Sequence, residues 1–339
     1  MLRVIIRLGC VAAVASLPIP LDARSEGPCP HPEWARDSWR ASHEARLGPE
    51  QEEKSSQSFR VGPSGTLELA GVSGDVTVTE GGTDTITVEA VKKVHGLESD
   101  ARAQFARVQV TMTEHAGRVE VRTGYSGHDN HVSVDFAVTA PAGTTVSVHT
   151  VSGDVKITGI RGEVRAESVS GNISAMGTPL VSLVKSVSGD IVVTGVATQD
   201  DLHASTVSGD ISVKTARMRG VDADTVSGEI NLVDVTCERA TAGSTSGSIA
   251  FSGPLARSGR YELKAHSGDV RVALSGDPGF ELDARTFSGS VRSDVPVTTR
   301  PGETISLRGP QKGLRGVHGD GSAQLVLTSF SGDITIVKR

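Results

Sequence analysis

Aromatic side chains are scarce in this sequence: Phe, Trp and Tyr together make up only 3% of its 339 residues. A globular core of this length usually includes many rings, because each buried ring removes a large apolar area from water. The scarcity favours a core filled by β-branched and small side chains instead. Glycine is plentiful, with 39 residues, as a fold with many tight corners requires.

The sequence also lacks an excess of positive charge. Its 34 Lys and Arg residues are outnumbered by 40 Asp and Glu residues, which gives a formal net charge of -6. Surfaces that bind nucleic acid or anionic membranes usually carry basic patches. The composition therefore argues against nucleic acid as a partner.

Cysteine is nearly absent, with three residues in the chain. Cys10 lies in residues 1–24, which have the two early arginines, the apolar stretch and the small residues of a cleaved secretory signal peptide. Lipidation at Cys10 and a retained anchor stay open as alternatives. If the segment is removed, Cys29 and Cys237 remain, and their spacing gives no support for a disulfide. We expect an extracytoplasmic protein, located in the periplasm, on the cell surface or outside the cell.

Common catalytic motifs are missing as well. The chain has no Gly-x-Ser-x-Gly elbow and no His-Glu-x-x-His pair. The glycine-rich residues 309–321 include Lys312 but lack the Gly-Lys-Ser/Thr of a phosphate-binding loop. We therefore expect no catalytic residues and no small-molecule cofactor.

What the sequence does contain is a repeated Ser-Gly corner. The motif glycines are Gly74, Gly153, Gly171, Gly189, Gly209, Gly228, Gly247, Gly268, Gly289 and Gly332. From the second to the ninth, successive glycines are 18 to 21 residues apart, and the last gap of 43 is close to two repeats. A repeat of this length indicates a solenoid, in which each coil buries its apolar face against the next coil.

Apolar and polar residues alternate on both sides of each corner. Before Gly209, the apolar or small residues are Leu202, Ala204 and Thr206, and after it they are Ile211 and Val213. A period of two is typical of strands with one buried face. Each coil is therefore predicted to be a strand, a corner, a strand and a looser return. The fold class predicted is all-β: a right-handed parallel β-helix, or β-solenoid.

The chain divides into four predicted parts. Residues 1–24 are the signal peptide, and the polar residues 25–57 are predicted to be a disordered tether. Residues 58–141 lose the period and are predicted to form an N-terminal β cap, because a solenoid needs its open edge covered. Residues 142–339 carry the repeats. Within them, residues 300–321 interrupt the pattern and are predicted to be a degenerate coil or a protruding loop.

Two groups of side chains are candidates for metal binding. The first group is His128, Asp129 and His131, within a short stretch that a polar hairpin loop explains equally well. The second group is a row of acidic residues after the motif glycine, which stacked coils would bring close together. The row is represented by Asp154, Asp190, Asp210 and Asp269. Asp beside Gly is also ordinary turn chemistry, and we favour that explanation.

Several motifs resemble those of the bacterial putative-adhesin family. They are the Val-Ser-Gly-Asp corners at Val151, Val187 and Val207, the leading segment 67–78, the Ala140-Pro141-Ala142-Gly143 turn and the closing Ser331-Gly332-Asp333-Ile334. The similarity covers about residues 59–339. It implies an exported β-solenoid domain, grouped with adhesion or envelope-stress systems, and it transfers no catalytic residues.

The function expected is that of a non-enzymatic exported binding or scaffold protein of the bacterial cell envelope, with adhesion as one role. The expected partner is an envelope protein or an extracellular polymer, because the long faces of a solenoid suit extended contacts. Two alternatives stay open. One is a carbohydrate-active β-helix enzyme, either a polysaccharide lyase or a hydrolase, and the other is an accessory protein of envelope-stress signalling.

Overall fold

The computed structural model is built almost entirely of β-strands, and it describes residues 49–126, 131–299 and 312–339. The N-terminal strands are β1 (Glu50–Arg60), β2 (Thr66–Ala70), β3 (Val76–Glu80), β4 (Thr85–His95), β5 (Val108–His115), β6 (Arg118–Tyr125) and β7 (Ser133–Ala140). The central strands are β8 (Thr145–Ser152), β9 (Val155–Thr158), β10 (Val164–Ser170), β11 (Ile173–Met176), β12 (Val181–Lys185), β13 (Ile191–Thr194), β14 (Asp201–Ser208), β15 (Ile211–Arg217), β16 (Gly220–Ser227), β17 (Ile230–Ser246), β18 (Ile249–Gly253), β19 (Leu255–Ser267) and β20 (Val270–Leu274). The C-terminal strands are β21 (Phe280–Ser288), β22 (Val291–Ser293), β23 (Lys312–His318), β24 (Ala323–Ser331) and β25 (Ile334–Lys338).

Helical structure is limited to α1 (Glu98–Phe105) in the ranges that the structure describes. No helix within these ranges is both long enough and apolar enough to span a membrane.

Each coil contributes one strand to each of two parallel sheets. β10 pairs with β8 and β12 in one sheet, which we call the front sheet, and β11 pairs with β9 and β13 in the other, the back sheet. β17 is long enough to run through both sheets. The inward side chains of both sheets belong to a single hydrophobic core. The predicted β-solenoid is therefore confirmed.

The coils stack with equivalent residues in register. Ile173, Ile191, Ile211, Ile230 and Ile249 are partners on successive strands of the back sheet, and each is completely buried. Branched aliphatic side chains fill this narrow core well because they pack against like neighbours on a pleated surface. The apolar positions after each corner thus point inward, as the period of two predicts.

Glycine at the corners is required by the close approach of the coils. Gly171 has a φ of 147°, and a Cβ added there would lie 2.1 Å from the carbonyl oxygen of Gly153 in the preceding coil. No side chain fits at that distance, and the backbone conformation itself is one that side chains rarely adopt.

Buried hydroxyl groups form a second ladder beside the glycines. In six coils they come from the residue three positions before the corner, and each donates to the carbonyl oxygen of the corner glycine in the adjacent coil. Thr206 Oγ1 lies 3.1 Å from the Gly189 oxygen, and Ser244 Oγ lies 3.1 Å from the Gly228 oxygen. These hydrogen bonds satisfy the buried hydroxyl groups, so Ser or Thr is tolerated at an inward position there.

Two coils are inserted out of chain order, one near each end of the stack. The coil of β24 and β25 lies between the coil of β19 and β20 and the coil of β21 and β22. At the other end, β2 and β3 lie between β6 and β7 on one side and β8 and β9 on the other. The gap of two repeats before Gly332 therefore arises because the chain first forms the outermost coil, with β21 and β22. Only afterwards does it form the inserted coil of β24 and β25.

Antiparallel strands cover the N-terminal end of both sheets and the C-terminal end of the front sheet. β4 pairs with β7 and with β1 on the back sheet, while β5 pairs with β6 on the front sheet. At the C-terminal end, β23 pairs with β21. Pairing of this kind protects the edge of a parallel sheet from other chains.

Two predicted boundaries need correction. Residues 50–57 were assigned to a disordered tether, but β1 begins at Glu50 and pairs with β4 along its whole length. The strand is polar and mostly exposed, so backbone hydrogen bonds rather than an apolar face hold it in place. Residues 312–318, predicted to be part of a loop or degenerate coil, form strand β23. Residues 1–48 and 300–311 lie outside the described residues.

Candidate functional site

The acidic row after the corner glycines is engaged with the backbone of the next coil. At most steps of the row, a side-chain oxygen accepts a hydrogen bond from the backbone N–H of the equivalent residue one coil further along the stack. The side-chain amide oxygen of Asn172 accepts the equivalent hydrogen bond from the backbone N–H of Asp190. The steps, acceptor first, are Asp154 to Asn172 at 2.8 Å, Asp190 to Asp210 at 2.8 Å, Asp210 to Glu229 at 2.7 Å and Asp269 to Asp333 at 2.8 Å. The row therefore has a structural role, whether or not cations also bind to it.

The other metal candidates lie largely outside the described residues. This applies to His128 and Asp129, whereas His131 is described and exposed. Within the described ranges, no group of three or more His, Cys, Asp or Glu residues is arranged to hold a metal ion. Metal binding at these positions remains a prediction.

Cys237, the free cysteine in the described ranges, lies in the core. Burial raises the pKa of its thiol to about 12, and a protonated thiol is a poor nucleophile. The side chain therefore acts as a small apolar group.

A groove of about 1070 Å³ lies on the outer face of the front sheet near its C-terminal end. Strands β16, β17, β19, β24, β21 and β23 supply its lining. We call it the C-terminal groove.

The floor of the C-terminal groove is formed by the outward residues four positions before each corner. On five adjacent strands these residues are Asp224, Gly243, Lys264, Thr328 and Arg285, in the order of the stack. Gly243 has no side chain and Thr328 has a short one, so the groove is deeper at those two strands. The longer cationic side chains of Lys264 and Arg285 lie on the neighbouring strands.

One wall of the groove is a ladder of stacked rings. The rings of His266 and Phe330 have centroids 4.9 Å apart with planes 8° from parallel, and those of Phe330 and Phe287 are also 4.9 Å apart with planes 2° from parallel. Phe330 is 48% exposed and Phe287 is 44% exposed. Ring faces are thus turned toward each other, and the ring edges face solvent.

In five other coils, this same column is aliphatic. The residues two positions before the corner glycine are Val151, Val169, Val187, Val207 and Val226, each about half exposed. A valine at this position is therefore compatible with the stacking of the coils, and stacking does not require an aromatic side chain there. This substitution of His and Phe for Val is the signal in the sequence that could have marked the site.

Basic side chains outnumber acidic ones in the groove. Asp283 Oδ1 accepts hydrogen bonds from Arg285 Nε at 2.7 Å and from Arg315 Nε at 3.0 Å, so two guanidinium groups share one carboxylate. Lys312 Nζ donates to the backbone oxygen of Gly289 at 2.7 Å, which leaves its charge uncompensated by that contact. Lys264 forms an ion pair with Glu262.

Asp224 is the one carboxylate among the described lining residues. Partial burial, together with the nearby charge of Asp222, raises the pKa of its carboxyl group. A glycosidase requires two carboxyl groups on either side of the bond that it cleaves. Among the described lining residues, Asp224 supplies one such group.

Comparison with known proteins identifies relatives by family and by fold. A family model described as Toastrack DUF4097 matches residues 66–337. A solved putative adhesin from Parabacteroides merdae is 14% identical, with 84% of this chain and 96% of that chain covered and a TM-score of 0.41. A putative lipid binding protein from Parabacteroides distasonis is 12% identical, with 83% and 96% covered and a TM-score of 0.41.

A putative adhesin from Bacteroides fragilis is 12% identical, with 84% of this chain and 97% of that chain covered and a TM-score of 0.39. No curated protein matches the sequence. Likenesses to solved structures at this distance carry no argument about function, so the function has to be argued from the groove.

Proposed function

This chain belongs to the Toastrack DUF4097 family, and on that premise we propose that it is a non-enzymatic, extracytoplasmic binding protein of the cell envelope. The C-terminal groove is its ligand-binding surface, and the stacked coils are the rigid support that holds the groove in shape. Adhesion to a polymer or to another envelope component is the role that such a surface serves.

The observation that carries this proposal is the contrast between the coils. The repeated residues have structural reasons: the glycines permit close approach, and the acidic row and the hydroxyl ladder bind the backbone of adjacent coils. His266, Phe330 and Phe287 replace valines that serve equally well in other coils. Exposed rings beside basic side chains are typical of binding surfaces.

Support for an extracytoplasmic location comes from the N-terminal residues. Residues 1–24 have the composition of a secretory signal peptide. A direct test is to express the full chain in a bacterial host and to determine, by fractionation and by mass spectrometry of the N-terminus, where the protein accumulates and whether it has been shortened. Cytoplasmic accumulation of the complete chain would contradict this part of the proposal.

The binding function is tested by incubating the purified protein with a panel of envelope and extracellular polysaccharides while both binding and product formation are measured. We expect saturable binding without products. Phe330→Ser should weaken binding, whereas Val187→Ser, which truncates the same column in a distant coil, should not.

Turnover that disappears in Asp224→Asn while the thermal unfolding temperature is unchanged would overturn the proposal. That outcome would favour the carbohydrate-active enzyme instead.

A further inference from the structure

We infer that the ligand of the C-terminal groove is an acidic polysaccharide, that is, a chain of sugar rings carrying carboxylate or sulfate groups. The inference rests on the proposed binding function and specifies the chemical class of the ligand.

Local charge is the first argument. The chain as a whole has a net charge of -6, yet the described groove lining contains Lys264, Arg285, Lys312 and Arg315 against the single carboxylate of Asp224. Beside the lining, Glu262 pairs with Lys264, and Asp283 pairs with both arginines. The side chains of Lys264, Arg285 and Arg315 are 60%, 54% and 47% exposed, so an anion can reach them. Exposed basic side chains gathered in one groove attract anionic groups to it.

The shared carboxylate strengthens this argument. Asp283 balances only one of the two positive charges on Arg285 and Arg315. Guanidinium groups bind carboxylate and sulfate oxygens through paired N–H donors. An anionic group of the ligand would therefore balance the charge of the second arginine.

The spacing of the cations distinguishes a polysaccharide from a peptide. Lys264 and Arg285 occupy equivalent positions on strands separated by the strand of Thr328, so they lie two strand spacings apart, or ~9.6 Å. Same-face side chains of an extended peptide recur every ~6.8 Å, which does not match. A chain of six-membered sugar rings advances by about one strand spacing per ring, so every second ring would meet a cation.

The position of the groove also disfavours a peptide. β24, at the centre of the groove, is paired with β19 on one side and β21 on the other. Its backbone groups are therefore occupied, so a peptide cannot extend the sheet at the centre of the groove. Recognition there must come from side chains.

The ring ladder is compatible with an anionic ligand. Because the three rings stack on each other, the groove presents their edges, which carry partial positive charge. Negatively charged oxygens are favoured next to such edges. The wall thus adds to the attraction of the basic side chains rather than serving as a flat platform for a sugar face.

The test measures binding of the full protein to four defined polymers by isothermal titration calorimetry: polygalacturonate, dextran sulfate, uncharged dextran and polyglutamate. We expect binding to polygalacturonate or dextran sulfate that weakens as salt is added, because salt screens exposed charges. The first two polymers distinguish carboxylate from sulfate as the preferred group. Dextran should not bind, and polyglutamate should bind at least ~10-fold more weakly, a difference of ~1.4 kcal/mol.

Matched variants locate the site. The double variant Lys264→Gln and Lys312→Gln should lower the affinity for the acidic polysaccharide by ~10-fold or more. Lys185→Gln is the control, because Lys185 is exposed in the same outward column as Lys264 but lies outside the groove lining. It should change the affinity by less than ~2-fold, and unfolding temperatures should show that all variants remain folded.

The outcomes separate this inference from the proposed function. Equal loss in the Lys185 control, equal binding of polyglutamate, or no binding to any of the polymers would overturn the inference about the ligand. Groove-dependent binding of uncharged dextran would also overturn it while leaving the binding function intact. Cleavage of a polymer would instead overturn the non-enzymatic function.

Discussion

Replacing Ile230 by Asp tests the assignment of inward and outward positions most directly. Ile230 is completely buried and lies between Ile211 and Ile249 on the adjacent strands of the back sheet. The carboxyl group of the variant would be surrounded by aliphatic side chains of three successive coils. We expect coupling between the coils to be lost on both sides of the substitution.

The size of the effect follows from two contributions. Losing the burial of an Ile side chain costs ~1.5–3 kcal/mol, and burying an unpaired polar group costs a further ~1–3 kcal/mol. The sum, ~2.5–6 kcal/mol, is a large part of the ~5–15 kcal/mol that stabilises a typical domain. We therefore expect Ile230→Asp to lower the free energy of unfolding severely.

The loss should grow as the pH rises. Burial raises the pKa of the new carboxyl group in the folded state above its unfolded value of ~3.9. Between those two pKa values the unfolded chain releases the proton while the folded chain keeps it, so stability falls by ~1.4 kcal/mol for each pH unit above ~4. The difference between variant and wild type should therefore be larger at neutral pH than near pH 4.

Urea unfolding followed by circular dichroism at both pH values measures this. Asn231→Asp is the control, since Asn231 is the next residue on the same strand and is partly exposed on the outward face. Its effect should stay within ~0.5 kcal/mol. Equal destabilisation by the two substitutions would refute the assignment, and a pH-independent difference would refute the burial of the carboxyl group.

Three further predictions concern the corner ladder and the core. Asp210→Asn should leave the free energy of unfolding nearly unchanged, because Asn172 already fills this role, whereas Asp210→Ala should cost ~1 kcal/mol by removing the acceptor for the Glu229 N–H. Tyr261→Phe should cost ~1–3 kcal/mol in urea unfolding, because the Tyr261 hydroxyl donates to the Cys237 oxygen at 2.6 Å and accepts from a backbone N–H at 2.8 Å. Cys237 should resist iodoacetamide at pH 8 in the folded protein and react after denaturation, because its pKa is raised to about 12; rapid labelling of the native state would contradict its burial.

Local pattern was enough to predict the coil. The period of two around each corner indicates which face of a strand is buried, and Ile211 and Ile230 lie inside as that pattern requires. The corner glycines predict the repeat length and the register of stacking, because a residue without a side chain is needed wherever backbones approach closely. The family resemblance rests on the same corners, and the match over residues 66–337 confirms it.

The alternation of apolar and polar residues was less informative where a strand has no buried face. Residues 50–57 carry no alternation of apolar and polar side chains, so they resemble a tether, yet β1 forms there through backbone pairing with β4. Backbone hydrogen bonds are available to any sequence, and side-chain composition does not report them.

The order of the coils was decided only by the tertiary structure. All coils share the same corner and the same inward pattern, so the repeat pattern does not indicate which strand lies beside which. Phe330 follows Phe287 by 43 residues in the chain, but insertion of the coil of β24 and β25 places its ring between those of His266 and Phe287. The C-terminal groove exists because of this insertion, since strand pairing at the end of the stack brings together rings and basic side chains that are distant along the chain.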